Sequence, residues 1–170
     1  SELWRQRIIE NASVVQSGRT HLQTAIPITV GLWLSVLHNR FAKTICQARE
    51  QAANVPGKFS GAVGTRAALQ ALLGPDQLKA VQLEARALVL LGLPSAQLGT
   101  QITPPEDYSR FYFELVLASA ALANFGDDVR HLQATEIAEI LSASSGSSTM
   151  PHKKANPVAA EQMDGMHISA

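Results

Sequence analysis

EDYSRFYFELVLASAALANFGDDVRHLQATEIAEIL, running from Glu106 to Leu141, carries the longest helical pattern in the chain. Its apolar residues Phe111, Leu115, Ala118, Leu122, Phe125, Val129 and Leu132 step alternately by four and three positions. That near-heptad stripe belongs to a helix packed lengthwise against other long helices. The spacing predicts one helix over about Glu106 to Leu141. Gly126 inside it costs about 1 kcal/mol relative to alanine, which points to a close helix crossing there.

Outward from this stretch the period stays helical. Upstream, Ser95 to Pro105 is a break, preceded by a helix opening at Gly74-Pro75-Asp76 and stopped by Gly92 and Pro94. Leu78, Val81, Ala85, Leu88 and Leu91 are its expected buried stripe. Asn54 to Gly64 is a second break, with Pro56, Gly57, Gly61 and Gly64. Before it, Val30, Leu34, Leu37, Phe41, Ile45 and Ala48 mark a long helix after Pro27. A polar loop, Gly18 to Gln23, separates that helix from a first one, marked by Leu3, Ile8, Ala12 and Val15 and ending near Ser17-Gly18. No strand alternation stands out. The expected fold is all-α, an elongated bundle of long helices forming one domain over residues 1–170.

The chain has 170 residues, 46% hydrophobic and 16% charged, enough for a real core. Its formal net charge of zero gives no bulk electrostatic reason to bind nucleic acid or a membrane surface. The residues give no expectation of a signal peptide or of a bilayer-length apolar run. A single cysteine, Cys46, excludes an internal disulfide and suits a reducing, cytoplasmic compartment. Its place in an apolar stripe predicts a buried small hydrophobe. The start at Ser1 and the end in a helical stretch at Ala170 give the expectation of a piece of a longer subunit.

The chemistry concentrates in Ser144 to Pro157, Ser-Ser-Gly-Ser-Ser-Thr-Met-Pro-His-Lys-Lys-Ala-Asn-Pro. It has almost no apolar surface to bury and offers hydroxyls, N–H groups and positive charge together. That inventory grips a carboxylate or phosphate and can place a base beside it. A Ser/Gly linker is the plain alternative. The flanking helical stretches argue against it, as does Asn156-Pro157, expected as N-cap and first-turn residue of a following helix. No cluster has metal-ligand spacing, and neither a P-loop nor a dinucleotide fingerprint occurs, so no metal or cofactor is expected.

Gly146-Ser147-Ser148-Thr149-Met150-Pro151-His152-Lys153, with Asn156-Pro157 after it, resembles the signature loop of the fumarase/aspartase superfamily. It departs by one extra residue between Lys153 and Asn156. Gly18-Arg19-Thr20-His21-Leu22-Gln23 is similar to the superfamily's Gly-x-Thr-His segment. Lys58-Phe59-Ser60-Gly61-Ala62-Val63-Gly64-Thr65 and Thr100-Gln101 look like segments of its adenylosuccinate lyase branch. His152 occurs in that branch and in the carboxymuconate cycloisomerases, whereas Thr20-His21-Leu22-Gln23 is closer to fumarases and argininosuccinate lyases.

The resemblance implies the central helical domain of that superfamily, a homotetramer, and β-elimination of fumarate from a small-molecule succinyl substrate. It implies Ser148 as general base, with Ser147 as the next choice, and His21 as general acid. It further implies Lys153 and Asn156 on the substrate carboxylate, and Thr20, Ser60 and Gln101 as orienting hydrogen-bond groups. Two alternatives stand beside adenylosuccinate-type cleavage: a 3-carboxy-cis,cis-muconate cycloisomerase, and a helical assembly fragment without activity. By their surroundings alone, His131 reads as a polar-face residue, His38 and His167 have no functional context, and Ser60 to Thr65 reads as a tight glycine-rich turn.

Overall fold

The computed structural model describes residues 2–74, 76–141, 149 and 156–169. Those residues form α1 (Glu2–Glu10), β1 (Val15–Thr20), β2 (Gln23–Thr29), α2 (Val30–Asn54), α3 (Ala67–Leu73), α4 (Gln77–Leu90), α5 (Glu106–Leu132) and α6 (Val158–Ile168). The chain is mostly helical, and two compact units divide it: Ser1–Ile45 with Val116–Ala170, and Cys46–Leu115.

The all-α expectation needs a correction at the N-terminal side. The first helix ends at Glu10, and Val15 to Thr29 is an antiparallel hairpin rather than a helix end and a polar loop. Val15 pairs with Thr29, Ser17 with Pro27 and Thr20 with Gln23, and a bulge at Gly18 shifts the register between Ser17 and Arg19. Gly18 is required there, because a Cβ would stand 2.6 Å from the Ile26 carbonyl oxygen. Pro27 is tolerated because each strand of a two-stranded sheet has a free edge. Most of the hairpin is exposed, including Val15 and Ile26, so burial imposes no apolar alternation on the sequence.

In the first unit, α1 and the hairpin lead into α2. Gly31 opens α2 close to the α1 end: a Cβ there would stand 2.8 Å from the Ile8 carbonyl oxygen. Trp4 packs on Phe125 at 5.1 Å between ring centroids, and Trp33 on Phe125 at 5.7 Å, tying α1 and α2 to α5. His38 is part of this cluster, 6.0 Å from Trp4. The expected close crossing at Gly126 is present: a Cβ there would lie 2.7 Å from the Ala160 carbonyl oxygen of α6. Arg130 to Asp164 at 3.0 Å and Ser119 to His167 at 3.0 Å join the same two helices.

α5 stops at Leu132, nine positions before the expected Leu141. The Leu132 carbonyl accepts from both Glu139 N–H at 2.9 Å and Ile140 N–H at 3.2 Å, so the chain turns back over the helix end. Ala138 takes a positive φ of 54° in this reversal. The reversal satisfies a carbonyl that a helix C-terminus leaves open. Arg130 and His131 in the last turn complement the dipole.

In the second unit, Asp76 caps α4 by accepting from Leu78 N–H at 3.0 Å. The buried face of α4 is Ala80, Glu84 and Leu88. Of the expected stripe only Leu88 is buried, while Leu78 and Leu91 are each 62% exposed. Gly57 lies against the Leu88 side chain and forms an isolated parallel bridge with Ser95, donating to Pro94 O at 2.9 Å and accepting from Ala96 N–H at 3.0 Å. The short α3 was not among the expected helices, although Leu69, Leu72 and Leu73 stand at helical spacing. Cys46 is exposed, contrary to its expected burial: its position on α2 falls outside the buried set Leu34, Leu37 and Ala48. Among the described residues no helix is long and apolar enough to cross a membrane.

Candidate active site

The hairpin builds its tip from the Thr20–Gln23 pairing, which leaves His21 and Leu22 as a two-residue turn. Both have positive φ, 53° and 61°. Such a turn matches the twist of the strands but favours Asn and Gly at both positions. Leucine in the left-handed region costs roughly 1–2 kcal/mol, so the surroundings must hold it. Thr20 Oγ1 lies 2.8 Å from His21 Nδ1 and orients the imidazole. Both side chains are exposed.

Arg19 spans the turn from behind. Its Nη1 donates to Leu22 O at 3.3 Å and to Thr24 Oγ1 at 3.2 Å, and its Nη2 pairs with Glu139 Oε1 at 2.6 Å. The hairpin, α2 and the end of α5 border a half-open cavity of about 300 Å³ lined in part by Gln16, Ser17, Arg19, His21, Asp128 and His131. The Asp128 carboxylate accepts from the Trp33 indole at 2.8 Å. His131 is exposed, as a polar-face residue should be, yet it borders the same cavity as His21. An arrangement of this kind can present an imidazole at the rim of the hollow.

The second unit carries the other described pair. Lys58 Nζ donates to Gly61 O at 2.8 Å and to Gln101 O at 3.1 Å, which brings the Ser60 loop and the Gln101 loop together. Glu84 anchors the first of these loops. Its carboxylate, 1% exposed, accepts from Phe59 N–H at 2.6 Å and pairs with the Arg66 guanidinium. Arg66 N–H donates to Ser60 O at 2.8 Å. Gly64 has φ 77°, and a Cβ on it would collide with the Gly99 carbonyl. Ser60 is buried and Gln101 exposed. The glycines here serve tight loop-on-loop packing.

Ser147, Ser148 and Lys153 lie outside the described residues. Asn156 is described just ahead of α6, its carbonyl accepting from Val158 N–H at 2.9 Å. The cap position falls on Pro157 rather than Asn156, and the helix opens at Val158, so the expected capping pair is displaced by one residue. Among the described residues no group of three His, Cys, Asp or Glu side chains is placed to hold a metal ion.

Arg19, Glu139 and Glu84 did not figure among the expected site residues. Glu84 had a signal, a carboxylate four positions from both Ala80 and Leu88 on an apolar helix. Arg19 stood inside the Gly18–Gln23 motif with no role given to it, and its pairing with Glu139, 120 positions away, had no signal.

The model of a family described as lyase matches residues 2–169. Adenylosuccinate lyase of Pyrococcus horikoshii is 35% identical over 170 residues, covering 95% of this chain and 35% of that protein. The adenylosuccinate lyases of Bacillus subtilis and Aquifex aeolicus are 30% and 34% identical, covering 97% and 92% of the chain. The chain spans 35% to 37% of the length of these three relatives. It belongs, over nearly its whole length, to the lyase family of the fumarase/aspartase superfamily.

Proposed function

We propose that the protein carrying this chain cleaves a carbon–nitrogen bond by β-elimination, releasing fumarate from an adenylosuccinate-type substrate in purine biosynthesis. The observation that carries the reading is the set of adenylosuccinate lyase relatives matched over almost the entire chain. The display of His21 on a held turn, oriented by Thr20, supports its part in the mechanism.

The proton to be removed lies on the carbon beside a carboxylate and is weakly acidic. Removing it builds a second negative charge on that carboxylate, which N–H groups and cations must stabilise. Ser148 is the general base, with Ser147 as the next choice. Lys153 holds the carboxylate, assisted by Asn156. The C–N bond then breaks with its electron pair going to nitrogen, and His21 supplies the proton to that nitrogen. Thr20, Ser60 and Gln101 orient the substrate. The chemistry needs neither metal nor cofactor.

The working form in this reading is a cytoplasmic homotetramer with an elongated bundle of long helices. Support comes from α5, where Tyr112 and Phe113 are each 60% exposed and Leu115 is 40% exposed, more apolar surface than a lone helix leaves in water.

The test is fumarate release by the full-length protein offered adenylosuccinate, followed by absorbance. Turnover supports the reading. Conversion of 3-carboxy-cis,cis-muconate in its place, or inertness toward both substrates, overturns it.

A further inference from the structure

We propose that Arg19, held by Glu139, is the positioning residue for His21. The proposal rests on the reading of His21 as general acid and adds the group that fixes where its imidazole stands.

The turn His21-Leu22 has both φ values in the left-handed region, 53° and 61°. Leucine does not adopt that conformation of its own accord, and such strain persists only where neighbours over-determine it. The neighbour here is one guanidinium. It donates from Nη1 to Leu22 O inside the turn at 3.3 Å and to Thr24 Oγ1 on β2 at 3.2 Å. The planar fork of arginine makes such divergent bonds from a rigid frame, which a lysine ammonium does not reproduce.

The guanidinium is itself anchored. Its Nη2 meets Glu139 Oε1 at 2.6 Å, with the two side chains 18% and 23% exposed. Glu139 is in turn fixed through its backbone N–H to the Leu132 carbonyl at 2.9 Å, at the end of α5. A continuous line of bonds therefore runs from α5 through Glu139 and Arg19 to the turn. Arg19 itself need not touch substrate for this.

The experiment compares Arg19→Ala, Glu139→Gln, Leu22→Gly and the double variant Arg19→Ala with Leu22→Gly, in the full-length protein with adenylosuccinate. Arg19→Ala should lower kcat about tenfold or more and leave KM within about twofold, the signature of a misplaced acid and not of lost binding. Glu139→Gln, which removes one charge and little volume, should move kcat the same way by a smaller factor. Glycine adopts a positive φ freely. Leu22→Gly should therefore return the Arg19→Ala enzyme to within about threefold of the Leu22→Gly enzyme. A packing role or a substrate-contact role for Arg19 predicts no such rescue. A rise in KM with kcat preserved, or the absence of rescue, overturns the proposal.

Crystal structures of the same variants supply a readout independent of turnover. A displaced His21-Leu22 turn in Glu139→Gln or Arg19→Ala supports positioning; an unmoved turn in both overturns it. An inactive wild-type protein would remove the proposed function while leaving this structural test standing.

Discussion

At the scale of single residues, Glu84 is the most consequential side chain outside the catalytic candidates. It is buried to 1% exposure, with its carboxylate taken by Phe59 N–H and the Arg66 guanidinium. Removing the carboxylate leaves the Arg66 guanidinium, 17% exposed, without its counter-charge and Phe59 N–H without an acceptor. Glu84→Ala should therefore lower stability by about 3 kcal/mol, read as a shifted urea midpoint. Glu84→Gln keeps an acceptor for Phe59 and should lose less. Equal losses in the two variants would mean that the charge, and neither the bulk nor the acceptor, is what matters there. For chemistry, Ser148→Ala should remove most of kcat while leaving substrate binding largely intact, because an alkoxide base acts on the transition state. A loss of only a few-fold would move the base role to Ser147 or elsewhere.

At the scale of elements, two glycines in helices have opposite expectations. Gly126 of α5 faces the α6 backbone, where a Cβ would stand 2.7 Å from Ala160 O, and Gly165 of α6 has nothing within 4 Å. Helix propensity alone would make alanine better by about 1 kcal/mol at either site. Gly165→Ala should gain that stability. Gly126→Ala should lose stability instead, because backbone cannot yield as a flexible side chain does. Melting temperatures of the two variants check this, and a stabilised Gly126→Ala would show that the two helices separate readily. The hairpin belongs to this scale as well. It carries His21 not by apolar alternation but by cross-strand hydrogen bonds, a glycine bulge and the Arg19 clamp.

At the scale of the whole molecule, the proposed tetramer predicts association well above micromolar concentration, and a monodisperse monomer by light scattering would count against it. The superfamily resemblance implies that the segments holding His21, Gln101 and Ser148 meet from different subunits. His21→Ala and Ser148→Ala proteins, each inactive alone, should then regain partial activity when their subunits are exchanged. Mixed tetramers that stay inert would overturn a shared site.

What could be read from the residues was whatever depends on periodicity and on short local patterns. The three- and four-residue apolar steps announced α2 and α5, Gly74-Pro75-Asp76 announced the opening of α4, and the Thr20-His21 and Gly-Ser motifs announced the family. Gly126 in a helical stripe announced a close crossing, and α6 provides it. Long-range pairing decided the rest. The end of α5 depends on Leu132 O being claimed by Glu139 and Ile140, which no count of apolar steps contains. The buried face of α4 depends on Gly57, Phe59 and Arg66 arriving against it, so a carboxylate at position 84 lies inside while Leu78 stays out. The strained turn under His21 persists through bonds from Arg19, anchored in turn on Glu139, a partner 120 positions away. Helical period is stored in neighbouring residues and survives in the sequence; the partner of a buried charge or a free carbonyl exists only once the chain has folded.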